Sequence, residues 1–104
     1  MGEYDKALSY LKNSIELKDT EDKHHLLANI YTNSGNIKAA VKEYNQLIKE
    51  APNNIEYTIG LTNIYIKQHK YIDARKVLKT YAKNNPSDKN NPRFESYGIL
   101  NFAL

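Results

Sequence analysis

The sequence predicts an all-α fold, a right-handed superhelical array of antiparallel helix pairs with five to six helices. Three observations predict it. Apolar residues recur at helical spacing in successive segments. These segments repeat at an offset of 34 residues, which is typical of arrays built from helix pairs. Only 4 Gly and 3 Pro occur in the 104 residues, too few for a turn-rich all-β fold.

The repeat is carried by residues that recur 34 positions apart. Leu27 is followed by Leu61 and Ala40 by Ala74, and Pro52 by Pro86. The tripeptide Asn29-Ile30-Tyr31 returns as Asn63-Ile64-Tyr65. So many coincidences at one offset indicate a structural repeat.

Each period contains two helices. In the first, a helix from about Asp22 to Asn33 is broken at Gly35, which suits a left-handed C-cap. The next helix, Ile37 to Glu50, ends before Pro52, since proline cannot continue the hydrogen-bond ladder. Its apolar stripe consists of Ala40, Val41, Tyr44, Leu47 and Ile48.

The second period has the same arrangement. Its first helix carries Tyr57, Leu61, Ile64 and Tyr65, and its second carries Ala74, Val77, Leu78, Tyr81 and Ala82. We expect one domain over residues 1–104, with a partial repeat (second helix only) at 2–19 and full repeats at 21–54 and 55–88. Residues 93–104 are the predicted first helix of a further repeat. The chain is therefore expected to be a fragment of a longer array.

The spacing resembles the tetratricopeptide repeat (TPR), whose pattern is W-x2-L-G-x2-Y, then A-x3-F, then P. The first unit has His24-x2-Leu27-Ala28-x2-Tyr31, then Ala40-x3-Tyr44, then Pro52. The second has Thr58-x2-Leu61-Thr62-x2-Tyr65, then Ala74-x3-Leu78, then Pro86. Small residues such as Ala28 and Ala40 let paired helices approach closely. The aromatic anchor is absent at His24 and Thr58, so we expect looser packing at that corner.

The resemblance implies a concave groove, lined by the first helix of each unit, that holds a peptide. Asn29 and Asn63 fall at the same place in successive units, and an amide can bond both a donor and an acceptor of a peptide backbone. Other interpretations are that these Asn reflect an Asn-rich composition, that Ile59 and Ile66 pack on a neighbouring helix, and that His25 is a solvated residue. Carried over residue by residue, the groove positions are Asp22, His25, Asn29, Thr32, Asn33, Glu56, Ile59, Asn63, Ile66 and Lys67.

No catalytic residue, metal site or cofactor is indicated, and we expect a protein that is not an enzyme. Cysteine is absent. The adjacent His24 and His25 point about 100° apart on a helix and cannot share one ion well. No apolar run approaches the roughly 18 residues of a transmembrane helix, so we expect no membrane insertion. The N-terminal residues lack a signal-peptide pattern, and we expect a cytoplasmic protein.

The predicted function is protein–protein interaction, as a scaffold or adaptor module that binds a peptide segment of a partner of unknown identity. One alternative is self-association into a homo-oligomer through exposed terminal helix faces, since repeat arrays need polar caps at their ends. The other is an RNA-binding helical repeat. The net charge of +3 is mild and acidic residues are spread along the chain, so we expect no nucleic-acid partner. The basic residues on which that alternative depends are Arg75, Lys76, Lys79, Lys83, Lys89 and Arg93.

Overall fold

The computed structural model of the protein describes residues 2–94 and 97. No strand occurs among these residues, and the predicted all-α class is confirmed. The five α-helices of this part of the chain are α1 (Gly2–Leu17), α2 (Glu21–Ser34), α3 (Ile37–Glu50), α4 (Ile55–Lys67) and α5 (Tyr71–Asn84), and a 3₁₀ turn follows at Pro86–Asp88.

Polar side chains cap the N-terminal ends of three of the helices. Oγ1 of Thr20 accepts a hydrogen bond from the backbone N–H of Lys23 at the start of α2. Oδ1 of Asn54 accepts from the N–H of Glu56 at the start of α4. Asn36 does the same before α3, where its Oδ1 lies 3.4 Å from the nitrogen of Ala39. Each bond satisfies a backbone donor that has no partner within its helix.

The chain divides into two compact units, Met1–Glu50 and Ala51–Leu104. In the first unit α2 packs along α3, and α1 packs on α2. Ala28 and Ala40 are both 0% exposed, as a close approach of the paired helices requires. Leu11, Leu27, Tyr44 and Leu47 complete the buried side chains of this unit.

In the second unit α4 packs along α5, and the 3₁₀ turn packs on α5. Of the predicted helix at 93–104, only Arg93, Phe94 and Tyr97 lie among the described residues; the remainder lies outside them. Phe94 and Tyr97 are buried together with Ala74, Leu78 and Tyr81 of α5. The Phe94 ring meets Tyr81 edge-on, with 5.6 Å between ring centroids and 81° between planes.

The two helix-pair turns differ at equivalent positions. Gly35 has φ of 86°, the left-handed conformation predicted for it. The residue 34 positions later is His69, which holds a φ of 60°. A side chain with a Cβ adopts this region at a cost in energy, so the second turn is the more strained of the two. Lys70, which follows, makes no side-chain capping bond to α5.

Candidate peptide-binding site

The groove positions predicted on α2, which we call the α2 row, are Asp22, His25, Asn29, Thr32 and Asn33. Each lies three or four residues from another member, so they share one side of the helix. Asp22, Asn29 and Asn33 are exposed, whereas His25 and Thr32 are half-buried. The hydroxyl of Thr32 donates to the carbonyl oxygen of Ala28 at 2.8 Å, so its proton is committed to its own helix. The amides of Asn29 and Asn33 are the exposed side-chain N–H donors of this row.

Tyr44 on α3 brings two members of the α2 row together. Its hydroxyl donates to Oδ1 of Asn29 at 2.9 Å. Its ring meets the imidazole of His25 edge-on, with 6.2 Å between centroids. Burial raises the pKa of the Tyr44 hydroxyl, which therefore keeps its proton at neutral pH and remains a donor. Because Oδ1 of Asn29 is held by this bond, Nδ2 of the same amide is directed away from Tyr44.

The groove positions predicted on α4, which we call the α4 row, are Glu56, Ile59, Asn63, Ile66 and Lys67. Unlike the α2 row, they contact residues near the end of the described chain. Nη1 of Arg93 lies 2.5 Å and 3.1 Å from the two carboxylate oxygens of Glu56. The hydroxyl of Tyr97 donates to Oδ1 of Asn63 at 2.7 Å. Asn63 thus receives the same kind of bond as Asn29, but from a residue further along the chain.

The two isoleucines of the α4 row are half-buried and contact other apolar residues of the chain. Ile59 and Ile66 pack against the cluster that contains Phe94 and Tyr97. This agrees with the interpretation that they pack on neighbouring elements of their own chain. Lys67 remains exposed. Each row has three exposed positions, which are Asp22, Asn29 and Asn33 on α2 and Glu56, Asn63 and Lys67 on α4. The rows differ in their contacts, because Glu56 and Asn63 are bonded to residues later in the chain.

A cavity of about 420 Å³ lies beside His24, where the aromatic anchor of the repeat pattern is absent. His24 is half-buried beside this cavity, whereas Thr58, the equivalent position of the second repeat, is 2% exposed. Nδ1 of His24 lies 2.8 Å from Glu43, and Nε2 lies 2.7 Å from Asp19. The hydrogen bond to Glu43, helped by the one to Asp19, raises the pKa of His24, although burial opposes the shift. The residues that line the cavity are Asp19, Thr20, Glu21, His24, Glu43, Gln46, Leu47 and Glu50.

Three residues important to this arrangement were not among the groove positions inferred from the sequence. The helix pattern predicts only packing for Tyr44, and it does not place Arg93 or Tyr97 near α4. One signal was available for the tyrosines, since a buried tyrosine hydroxyl usually finds a hydrogen-bond partner. The contacts of Arg93 and Tyr97 lie 37 and 34 residues away in sequence, beyond the reach of local periodicity.

Among residues 2–94 and 97, no group of three or more His, Asp or Glu could hold a metal ion. None of the described helices is both long and apolar enough to cross a membrane.

The helix pairs and their 34-residue offset define a helical-repeat protein. The tetratricopeptide repeat model matches residues 1–58 and again residues 34–91. The chain belongs to the tetratricopeptide repeat family. Members of this family are non-catalytic repeat scaffolds that generally mediate protein–protein interaction, and protein partners follow from that membership. No curated protein matches the chain.

Proposed function

We propose that this protein is a scaffold or adaptor module that binds a peptide segment of a partner protein along the groove row of α2. The row is formed by Asp22, His25, Asn29, Thr32 and Asn33. It has no catalytic role in this proposal and needs no cofactor. The groove positions predicted on α4 are Glu56, Ile59, Asn63, Ile66 and Lys67; Glu56 and Asn63 are exposed but are bonded to residues later in the chain.

The observation that carries the proposal is the fixed amide of Asn29. Tyr44 holds Oδ1 of this exposed residue, so Nδ2 is offered in a set orientation. A preorganised donor binds a peptide carbonyl with less loss of side-chain entropy than a freely rotating one. Asp22 on the same row adds a negative charge that favours a basic or N–H-rich segment.

A peptide library displayed on phage and selected on the immobilised full chain tests this proposal. We expect selected peptides to bind the wild type and to lose about tenfold in affinity for Asn29→Ala, which corresponds to about 1.4 kcal/mol. The matched control is Asn45→Ala, an exposed asparagine on α3. Failure to select any peptide, or equal binding to both variants, would refute the proposal.

Self-association is the second candidate function, and exposed apolar residues on α1 favour it. Tyr10 is 77% exposed and Leu17 is 89% exposed, and the two are seven residues apart on one side of the helix. Light scattering across a concentration series tests this candidate. A dimer that is lost in Leu17→Lys supports it, whereas a monomer at every concentration contradicts it.

RNA binding gains no comparable support. One of its six basic residues, Arg93, is paired with Glu56. The other five, on α5 and just beyond it, are exposed, as is usual for lysine and arginine on the solvent side of a helix.

A further inference from the structure

The α4 row is contacted by three residues that come later in the same chain. Arg93 donates to both carboxylate oxygens of Glu56, and Tyr97 donates to Oδ1 of Asn63. Glu56 and Asn63 are seven residues apart, so they lie on one side of α4, two turns from each other. The third residue, Phe94, is 5% exposed and lies against Tyr81. We call Arg93, Phe94 and Tyr97 the internal ligand.

The internal ligand combines a charged contact with apolar ones. Phe94 and Tyr97 belong to the buried cluster against which Ile59 and Ile66 of α4 pack. One cation and two aromatic rings therefore meet the acidic, amide and apolar positions of the row. This is the chemistry by which a groove recognises an extended segment: apolar anchors provide affinity, and polar pairs provide register.

The two repeats differ in the residue that donates a hydrogen bond to the equivalent asparagine. In the first repeat Tyr44 supplies the hydroxyl that holds Asn29. The position 34 residues after Tyr44 is Leu78, which has no hydroxyl. In the second repeat no hydroxyl is available at Leu78, and Tyr97 donates the hydrogen bond to Asn63 instead.

We propose that Arg93, Phe94 and Tyr97 occupy a recognition surface on α4 for a partner segment of the same chemistry. That segment carries an arginine with aromatic residues one and four positions after it. A partner of this kind binds α4 by displacing the internal ligand. The inference rests on the proposed function, since it assigns a ligand class to the groove positions predicted on α4.

Competition with the internal ligand makes the free surface hard to observe in the wild type. A segment attached through a short connection acts at a local concentration of the order of millimolar. Contacts to Glu56 are exposed, and an exposed ion pair contributes little to holding two groups together. Removing the Arg93 guanidinium and the Tyr97 hydroxyl keeps both aromatic rings in the buried cluster. We therefore expect α4 and α5 to stay folded while the polar contacts that compete for Glu56 and Asn63 are lost.

The test measures fluorescence polarisation of a labelled synthetic peptide, Asn-Pro-Arg-Phe-Glu-Ser-Tyr-Gly, added to the full chain. We expect the double variant Arg93→Ala/Tyr97→Phe to bind this probe about tenfold more tightly than the wild type, since the competing segment is weakened. The matched control is Arg75→Ala/Tyr10→Phe, which removes the same groups from exposed positions. It should bind the probe as the wild type does.

A probe in which the arginine is replaced by alanine and the tyrosine by phenylalanine should bind the double variant no more tightly than it binds the wild type. If circular dichroism shows the double variant to be unfolded, Arg93→Lys replaces it, because lysine keeps the charge but loses the forked geometry of the guanidinium. That variant should bind the probe about threefold more tightly. A folded variant that binds no more tightly than the wild type would overturn the proposal.

The outcome is separable from that of the proposed function. Library peptides that depend on Asn29, together with no gain for the probe, would contradict the internal ligand alone. A gain for the probe, together with no dependence of any peptide on Asn29, would contradict the α2 site alone.

Discussion

The hydroxyl of Tyr44 and Oδ1 of Asn29 are joined by a hydrogen bond of 2.9 Å between α3 and α2. Tyr44 is 4% exposed, whereas Asn29 is exposed, so a rigid buried residue sets the orientation of a surface amide. The bond therefore links the packing of the helix pair to the side chain that we propose contacts a peptide.

Replacing Tyr44 with phenylalanine removes this hydroxyl and keeps the ring. We expect the free energy of unfolding to fall by about 1 kcal/mol, the usual net value of one hydrogen bond. Affinity for selected peptides should fall about fivefold, because the Asn29 amide can then rotate. Denaturant unfolding and fluorescence polarisation measure the two effects. Tyr10→Phe, at a position that is 77% exposed, should change neither; an unchanged peptide affinity in Tyr44→Phe would show that the bond does not position Asn29.

His24 makes stability depend on pH. Its two ring nitrogens face Asp19 and Glu43 at 2.7 Å and 2.8 Å, and only the protonated ring has an N–H on both nitrogens. Principally the hydrogen bond to Glu43 raises the pKa of His24 above its usual value of 6.5. The resulting stabilisation is complete below the unfolded pKa and is lost as the pH rises through the folded pKa.

Thermal unfolding between about pH 6 and pH 9 measures this effect. The unfolding midpoint of the wild type should fall as the pH rises through the folded pKa of His24. The fall should be smaller in His24→Gln and should persist in His25→Gln, which changes a neighbouring histidine. Identical pH profiles for the wild type and His24→Gln would mean that the two contacts do not stabilise the fold.

Thr62 carries a buried polar group with no partner. It is 0% exposed, and among the described residues nothing forms a hydrogen bond with its hydroxyl. The equivalent position in the first repeat is Ala28. We expect Thr62→Val to raise the free energy of unfolding by about 1 kcal/mol, because it removes an unpaired polar atom and keeps the branched shape. Thr32→Val is the control: its hydroxyl is bonded to Ala28, so no gain is expected there. A loss of stability in Thr62→Val would contradict this account.

Replacing the residues of the α4–α5 turn with those of the α2–α3 turn is expected to stabilise the protein. His69 holds a φ of 60°, and Lys70 provides no side-chain cap. The double variant His69→Gly/Lys70→Asn reproduces Gly35-Asn36, and we expect about 1 kcal/mol of added stability. Contacts between His69 and Tyr71 limit the gain. The reciprocal variant Gly35→His/Asn36→Lys should lose a similar amount; no difference between the two turns would contradict the strain assigned to His69.

Periodicity and turn chemistry allowed most of the fold to be predicted. The stripes of α3 and α5, the left-handed Gly35 and the small residues Ala28 and Ala40 are all local features of the sequence. The 34-residue offset holds for the backbone at His69, which takes the left-handed conformation of Gly35, although nothing local marks a histidine as a residue with this conformation. The offset alone also gave no sign that Thr62 would be enclosed without a partner for its hydroxyl.

The candidate site was predictable only as a set of positions. Helical spacing places Asn29 and Asn63 at equivalent points, but it does not specify what holds each amide. Those partners, Tyr44 and Tyr97, depend on side-chain geometry between elements that are distant in sequence. The ion pair of Glu56 likewise depends on a tertiary contact, with Arg93.

The most direct measurement of the central claim is the affinity of library-selected peptides for Asn29→Asp and for Asn45→Asp. Both variants add one negative charge at an exposed position, but Asn29→Asp keeps the oxygen bonded to Tyr44 and replaces the offered N–H₂ donor with an acceptor. We predict that Asn29→Asp weakens binding about tenfold while Asn45→Asp leaves it unchanged. Equal affinities for the two variants would contradict peptide recognition by the α2 row.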